Sequence, residues 1–489
     1  MQRNVFNHEA SRAIVTVCVA GALVLAAGCT APAMRDAPAM PEALASCHAR
    51  LVDADRRHAS AGTTDAQSTR VPGFPHLRTN RFLASLRKDL TGPEHVRAWI
   101  EAMRKLDAEA RGIEALNAGG SAQELTERLD CATRLAAFDS TQPDRVQRLR
   151  DSAGVADNYR GAWRVLGLYP LTRIAVRSGA DRLRNEVTAA FARGPAATPA
   201  RRYRPAVTAG DAHGHVNFAA VARDPLGRPR PEPAVLDALF ARHAPIIEAD
   251  STADADRIGR PAWRSASAPA ATLDTNDPVV YALASYTRFD ARVLLQLNYV
   301  FWFPERPRAG AFDLLGGHLD GLTWRVTLDD DGSPLLYDTM HNCGCYHWFF
   351  PAPRLIARAE QAPLADEGAL IPAAAPTLNS AQRIVLRLET GTHFITGVSA
   401  GSAAGGLNYR LADYDDLRRL PLPEGGSRSL FGPHGFVAGT ERAERFVLWP
   451  MGIERPGAMR QWGHHATAFI GRRHFDEARL IERYFERAP

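Results

Sequence analysis

Between residues 44 and 200 the apolar positions recur with the period of a helix. Val96, Trp99, Ile100, Met103, Leu106, Ala110 and Ile113 fall on one face. Ahead of them Thr91-Gly92-Pro93-Glu94 reads as a capping box with proline in the first turn. Ser121 and Glu124 open another helix, on which Cys131, Leu135 and Phe138 share a face. The Ala/Pro/Arg-rich stretch 193–204 reads as a linker, and beyond it the period changes. Residues 279–289 and 293–303 are rich in β-branched and aromatic side chains and predict a hairpin. Leu322, Trp324, Val326 and Leu328 alternate with Thr323, Arg325, Thr327 and Asp329. A four-residue turn, 329–332, leads into a return strand that begins at 335–337. Residues 384–388 and 393–395 flank Thr390-Gly391 as another hairpin, and a helix over 477–486 closes the chain. The expected class is α+β: a helical domain over 44–200, then a mainly antiparallel β-rich domain over 206–489.

The hairpin around the turn at 329–332 sets the candidate chemistry. Hydrophobic matching pairs Val326 with Leu335 and Trp324 with Tyr337. A slip of one would set Asp338 against Trp324 on the apolar face, which is costly for an unpaired charge. The favoured register places His318 opposite Cys343 and Asp320 opposite His341. With Cys345 and His347, six groups then gather at the open end of the hairpin. Residues two apart on a straight strand are separated by nearly 7 Å, far more than one ion spans with ligands at about 2.0–2.3 Å. The strand must bend, and Gly344 is where bending is easiest. The preferred metal set is His318, His341, Cys343 and His347, with zinc suited to imidazole and thiolate together. Asp320 is then a ligand, an orienter or the base of a metal-assisted hydrolysis. Two other readings stay open. In one, Cys343 and Cys345 form a tight disulfide, structural or redox-active. In the other they are buried thiols beside hydrogen-bonded core histidines.

Other constellations carry less. Gly397-Val398-Ser399-Ala400-Gly401 matches a nucleophile elbow. A serine hydrolase built on Ser399 would draw its acid from 413–416 and its base from His434 or His464. The residues after it, however, make a poor helix start. His213-Gly214-His215 and His464-His465 are possible extra ligands. Asp250, Asp254 and Asp256 form an acidic run without the EF-hand pattern. There is no Walker loop, dinucleotide fingerprint, HExxH or haem CxxCH.

The first residues read as a targeting segment. Arg3 and Arg12 precede an uncharged stretch, 13–27, too short for a membrane span. It ends Leu25-Ala26-Ala27-Gly28-Cys29, which resembles the lipobox of bacterial prolipoproteins. That resemblance covers only the first 29 residues or so, and it departs from the family pattern at Ala26, where leucine is common. It implies removal of residues 1–28, lipidation of Cys29 and, with Thr30 next, sorting to the outer membrane, facing the periplasm. Residues 29–43, rich in Ala and Pro, form the tether. The expected partners are the membrane, through the lipid, and a protein or cell-envelope component.

Composition adds two constraints. At 45% hydrophobic and 23% charged the chain can bury a sizeable core. Its net charge of +5 comes from arginines dispersed among acids, with lysine only at 88 and 105. No basic block exists, which argues against a nucleic-acid partner. Export permits disulfides. The simplest pairing joins Cys47 to Cys131 and leaves Cys343 and Cys345 as a local unit.

Overall fold

Four long helices carry the N-terminal half: α1 (Glu42–Ala61), α2 (Gly92–Asn117), α3 (Ala122–Ser140) and α4 (Tyr169–Arg193). The structure is a computed structural model and describes residues 40–194, 200–206, 218–250, 253–359 and 365–489. The leader, Cys29, most of the tether and His213-Gly214-His215 lie outside the described residues. The stripe on α2 is buried as its period requires, with Trp99 and Met103 fully enclosed. Ser121 caps α3 by accepting the Glu124 amide. Thr91 does not close the expected capping box, because its hydroxyl pairs with His95 at 2.9 Å. A short hairpin, β1 (Thr69–Val71) and β2 (Phe74–Thr79), interrupts the helices. Every residue of β2 is buried, and with proline, histidine and arginine among its six residues it shows no apolar alternation.

The C-terminal half is built on one ten-stranded sheet. Its members are β3 (Ala200–Pro205), β4 (Ile246–Asp250), β5 (Val279–Phe289), β6 (Arg292–Arg306), β7 (Gly317–Leu328), β8 (Pro334–His341), β9 (Trp348–Pro351), β10 (Gln382–Leu388), β11 (Ile395–Ser402) and β12 (Leu407–Asp413). They lie in the order β9-β8-β7-β6-β5-β12-β3-β4-β10-β11. Pairing is parallel where β12 meets β5 and β3 and where β10 meets β4, and antiparallel elsewhere. The class is α+β. Part of the stretch read as a linker is strand β3, and the closing helix is shorter than expected, Leu480–Tyr484, followed by a strand at Phe485–Arg487. Between β5 and β6, Asp290 and Ala291 both take positive φ, as a tight two-residue hairpin turn requires.

The β7–β8 register differs from expectation by two residues. The loop holds five residues rather than four, since Leu328 pairs with Pro334. An irregularity between Pro334 and Leu336 adds one more, so Val326 faces Tyr337, Trp324 faces Thr339 and Leu322 faces His341. One extra residue alone would have turned the apolar set to the wrong face, and the second restores it. Trp324, Val326 and Tyr337 share one core cluster. Asp338 pairs with Arg325 on the opposite face.

Residues Ala43–Pro489 form one compact unit, and buried charge joins its helical and β-rich parts. Arg418 grips both oxygens of Asp65 at 3.0 and 2.9 Å, and Gln461 donates to Asp65 at 3.0 Å. Behind them Arg78 spans Glu114 and Asp107 at 2.7 and 3.3 Å. The disulfide Cys47–Cys131 ties α1 to α3 across 84 residues. Cross-linking a loop of that length removes about 4–5 kcal/mol of unfolded-state entropy in the chain-entropy account. The double variant Cys47→Ser/Cys131→Ser should therefore unfold at clearly lower urea concentration than the oxidised protein. An unchanged midpoint would show that the bond adds nothing.

Candidate functional site

The far end of the β7–β8 hairpin holds a buried chain of alternating acid and imidazole. Oδ2 of Asp320 accepts from Nδ1 of His393 at 2.7 Å, and Oδ1 lies 3.7 Å from Nδ1 of His341. The other ring nitrogen of His393 lies 3.2 Å from Asp256. Asp256 in turn accepts from the Thr390 hydroxyl and the Gly391 amide at 2.5 and 2.7 Å. The loop between β10 and β11 is thus wrapped around one carboxylate. His393 is also stacked on Phe303 at 3.9 Å. All four links of the chain are buried.

Burial opposes charge on His393, but its bonds to Asp256 and Asp320 override this and raise its pKa. Burial would also raise Asp320, yet the hydrogen bonds and charge of His341 and His393 hold it far below the ordinary carboxylate range. His341 is lowered, chiefly by burial. His393 is thus favoured as an imidazolium between two carboxylates, with His341 closing the chain beside Asp320. A carboxylate held so low is a weak base, so Asp320 fits an orienting role better than a proton-abstracting one.

The sulfurs lie elsewhere. After His341 the chain makes a tight turn: Gly344 N donates to His341 O at 2.7 Å, and His341 N to Cys345 O at 3.0 Å. Gly344 takes φ +94°, and a Cβ there would meet Ala466 O at 2.6 Å, so glycine is required. The turn sends Cys343 into a cluster with Trp302, Leu319 and Met459, while His341 faces Phe394 and Tyr346. The Cys343 sulfur accepts the Cys345 amide at 3.4 Å. Cys343 and Cys345 are both free thiols. A hydrogen bond to Cys343, and then burial, push the Cys345 thiol well up.

The four expected metal ligands therefore have separate partners. The ring of His318 bonds Ala271 O at 2.7 Å, and His341 faces Asp320. Cys343 neighbours Cys345. His347 bonds Asp338 and Thr467 at 2.9 and 3.1 Å, beside Arg325. The residue slip in the hairpin and the turn at Gly344 are the cause. Among the described residues no group of three or more His, Cys, Asp or Glu is arranged to hold a metal ion. Ser399 is exposed in the middle of edge strand β11, facing Val385, and not on a turn from strand to helix. His464 bonds Ala66 O at 2.7 Å.

Cys345 lines a cavity of about 280 Å³. Its walls come from the Gly344–Trp348 segment, from Val176 and Leu183 on α4, and from Glu444, Leu448 and Phe469. Burial pushes the Glu444 carboxyl up to about 7. Its charge is felt by both Cys345 and Tyr346. Around the two sites Leu319, Tyr346 and His393 all carry positive φ. Backbone strain at non-glycine residues concentrates where a side chain must be aimed against local preference. Sequence reasoning missed Asp256 as a partner, and it missed His393 and Glu444 altogether. Each is brought in from far along the chain without a motif, and the positive φ of His393 leaves no mark in the sequence.

Nothing among protein-family models, curated proteins or solved structures matches this chain.

Two measurements test the electrostatics. Asp320→Asn leaves the buried His393 charge with one carboxylate, and about 3–5 kcal/mol should be lost in urea denaturation. A loss under about 1 kcal/mol would contradict the imidazolium assignment. The second concerns pH. His347 and His465 are pushed down to about 3, first by burial. Below 6.5 the unfolded chain binds a proton on each of these, and on His243, that the folded chain refuses, so this stability is lost as pH falls from 6.5. Glu444 acts in the opposite sense: between 4.5 and about 7 the folded state holds a proton that the unfolded state lacks. Glu444→Gln should then steepen the acid loss between pH 6.5 and 4.5 by about one proton, ~1.4 kcal/mol per pH unit. A parallel profile for variant and wild type would refute the elevated carboxyl.

Proposed function

We propose that this chain is an exported lipoprotein, anchored through Cys29 to the outer membrane and facing the periplasm, whose Cys343–Cys345 pair works as a thiol–disulfide site. The observation that carries this reading is the position of the pair. The two sulfur-bearing residues are in contact at a glycine turn, and one of them lines a largely apolar cavity. Glu444 on the same wall titrates near neutrality and is suited to accept the Cys345 proton. Oxidation would pass two electrons and two protons from the dithiol to a partner disulfide, which is reduced to two thiols. The ring that closes is small and strained, which makes it oxidising and readily reversed.

The surface beside the cavity supports a seat at a membrane. Val165, Leu166, Leu168, Leu171 and Ile174 are exposed at the start of α4 and just before it, and Phe446, Val447 and Trp449 are exposed in the segment packed against them. Monomeric soluble surfaces rarely leave so many large apolar groups together. The next turns of α4 and the 444–453 segment wall the cavity, so it lies beside that patch.

A second reading keeps zinc in a narrower form. Two adjacent sulfurs are a soft-metal pair even without His318 and His347, and a ligand from a partner would complete the shell.

Thiol counting separates the readings. After equilibration in oxidising glutathione, unfolded wild type should show two fewer titratable thiols and a mass lower by about two units. Cys345→Ser should show no such closure. Two thiols persisting at every glutathione ratio would defeat the redox reading. Near-stoichiometric zinc that vanishes in Cys343→Ser/Cys345→Ser would favour the second.

A further inference from the structure

A second cavity, of about 370 Å³, lies on another part of the β-rich half. It is bounded by the C-terminal end of helix α5 (Pro233–His243), by Arg383 and Ile384 on β10, by Tyr337 on β8 and by proline-rich loops. Two guanidiniums dominate it. Arg383 is only 5% exposed, and its Nη1 donates to the carbonyls of Ala241, Arg242 and Ala244. Arg242 donates to the carbonyls of Gln382 and Asn379 at 3.2 and 3.4 Å. Among the described residues neither meets a carboxylate. Elsewhere the buried Arg78, Arg325 and Arg418 are each matched by an acid, while Arg442 and Arg460 are held by backbone carbonyls.

The surroundings leave the charge unanswered. Among the described residues no acidic side chain lines the cavity. The groups that Arg383 feels are the phenols of Tyr409 and Tyr299 and the like charge of Arg242. The carbonyls at the end of α5 amount to about half a negative charge, set against two guanidiniums. Arg354 on the rim is different, being paired with Asp329 and Asp331 at 3.0 and 3.1 Å. His243 is pushed down to about 3, by burial first and then by Arg242 and Arg383. It is therefore neutral and offers a hydrogen bond without charge. Tyr337 is buried and its phenol is pushed up, so it stays a donor. Pro334, Pro376 and Leu378 supply apolar walls.

We propose that this cavity binds a small organic anion, its carboxylate or phosphate held by Arg242, Arg383 and the Tyr337 hydroxyl and its short apolar body resting on the prolines and Leu378. Guanidiniums held only by backbone carbonyls keep donors for an oxyanion, and charge-assisted bonds of this kind are the strong ones. The size suits a ligand of modest dimensions rather than a polymer.

Calorimetric titration of the intact protein with benzoate, phenyl phosphate and neutral benzamide tests this. Saturable binding of at least one anion is expected, weakening with added salt, and no binding of benzamide. The stronger of the two anions identifies the head group. Arg242→Gln and Tyr337→Phe should each weaken that anion about tenfold or more, the loss of one charge-assisted or buried donor. Arg383 also caps α5, so its variant is not needed. Benzamide binding as well as the anions, unaltered affinity in both variants, or no saturable binding of either anion would each overturn the assignment.

Discussion

A carboxylate removed from water must be answered by a proton donor, and the arrangement of this protein's second half follows from meeting that demand at two points on one hairpin. Asp338, at mid-strand on β8, is answered by Arg325 directly across on β7 and by His347 from the following turn. Asp320, at the start of β7, is answered from further away by His393 and, through it, by Asp256. Burying either carboxylate alone would cost several kcal/mol. Each pair therefore fixes more than itself. The first fixes strand register, and the second fixes the path of the loop between β10 and β11. A third demand, Asp65 with Arg418, does the same for the helical part.

That rule explains what could be read from the chain and what could not. Alternation in Leu322–Leu328 gave the correct faces for β7 and β8, because period-two patterning reports which side a residue points to. It cannot report how many residues the turn consumes. The five-residue loop and the irregularity after Pro334 each add one, so parity survives while the pairing shifts. Cys47 and Cys131 were legible because both lie on amphipathic helices, where spacing identifies the buried face. The β1–β2 hairpin was not, since proline, histidine and arginine stand among the six buried residues of β2 and leave no apolar alternation to detect.

The candidate site divides along the same line. Spacing of two made His341, Cys343, Cys345 and His347 look like one face, which is true only while the strand runs straight. Gly344 ends that condition: with φ +94° it reverses the chain within three residues. His341 keeps the sheet's direction and meets Asp320. Cys343 turns into a different cluster, and His347 resumes on the Asp338 side. The metal set was an extrapolation of strand geometry past the residue that breaks it.

What the turn separates it also isolates. Had the sulfurs remained beside His341, an imidazole would have stood ready to take a thiol proton, as in nucleophilic cysteine sites. Instead the imidazoles are committed to Asp320 and Asp338, and the group nearest in function is Glu444, which only burial has brought to a useful pKa. The Cys345 thiol is itself raised, so at rest it is protonated and slow to react. On the proposed redox reading, a slow Cys345 thiol beside a base that charges near neutrality would answer to what enters the cavity rather than to bulk thiols. Within that logic the apolar walls and the bordering apolar surface act as the filter on what arrives, while the turn at Gly344 keeps the two sulfurs together for it.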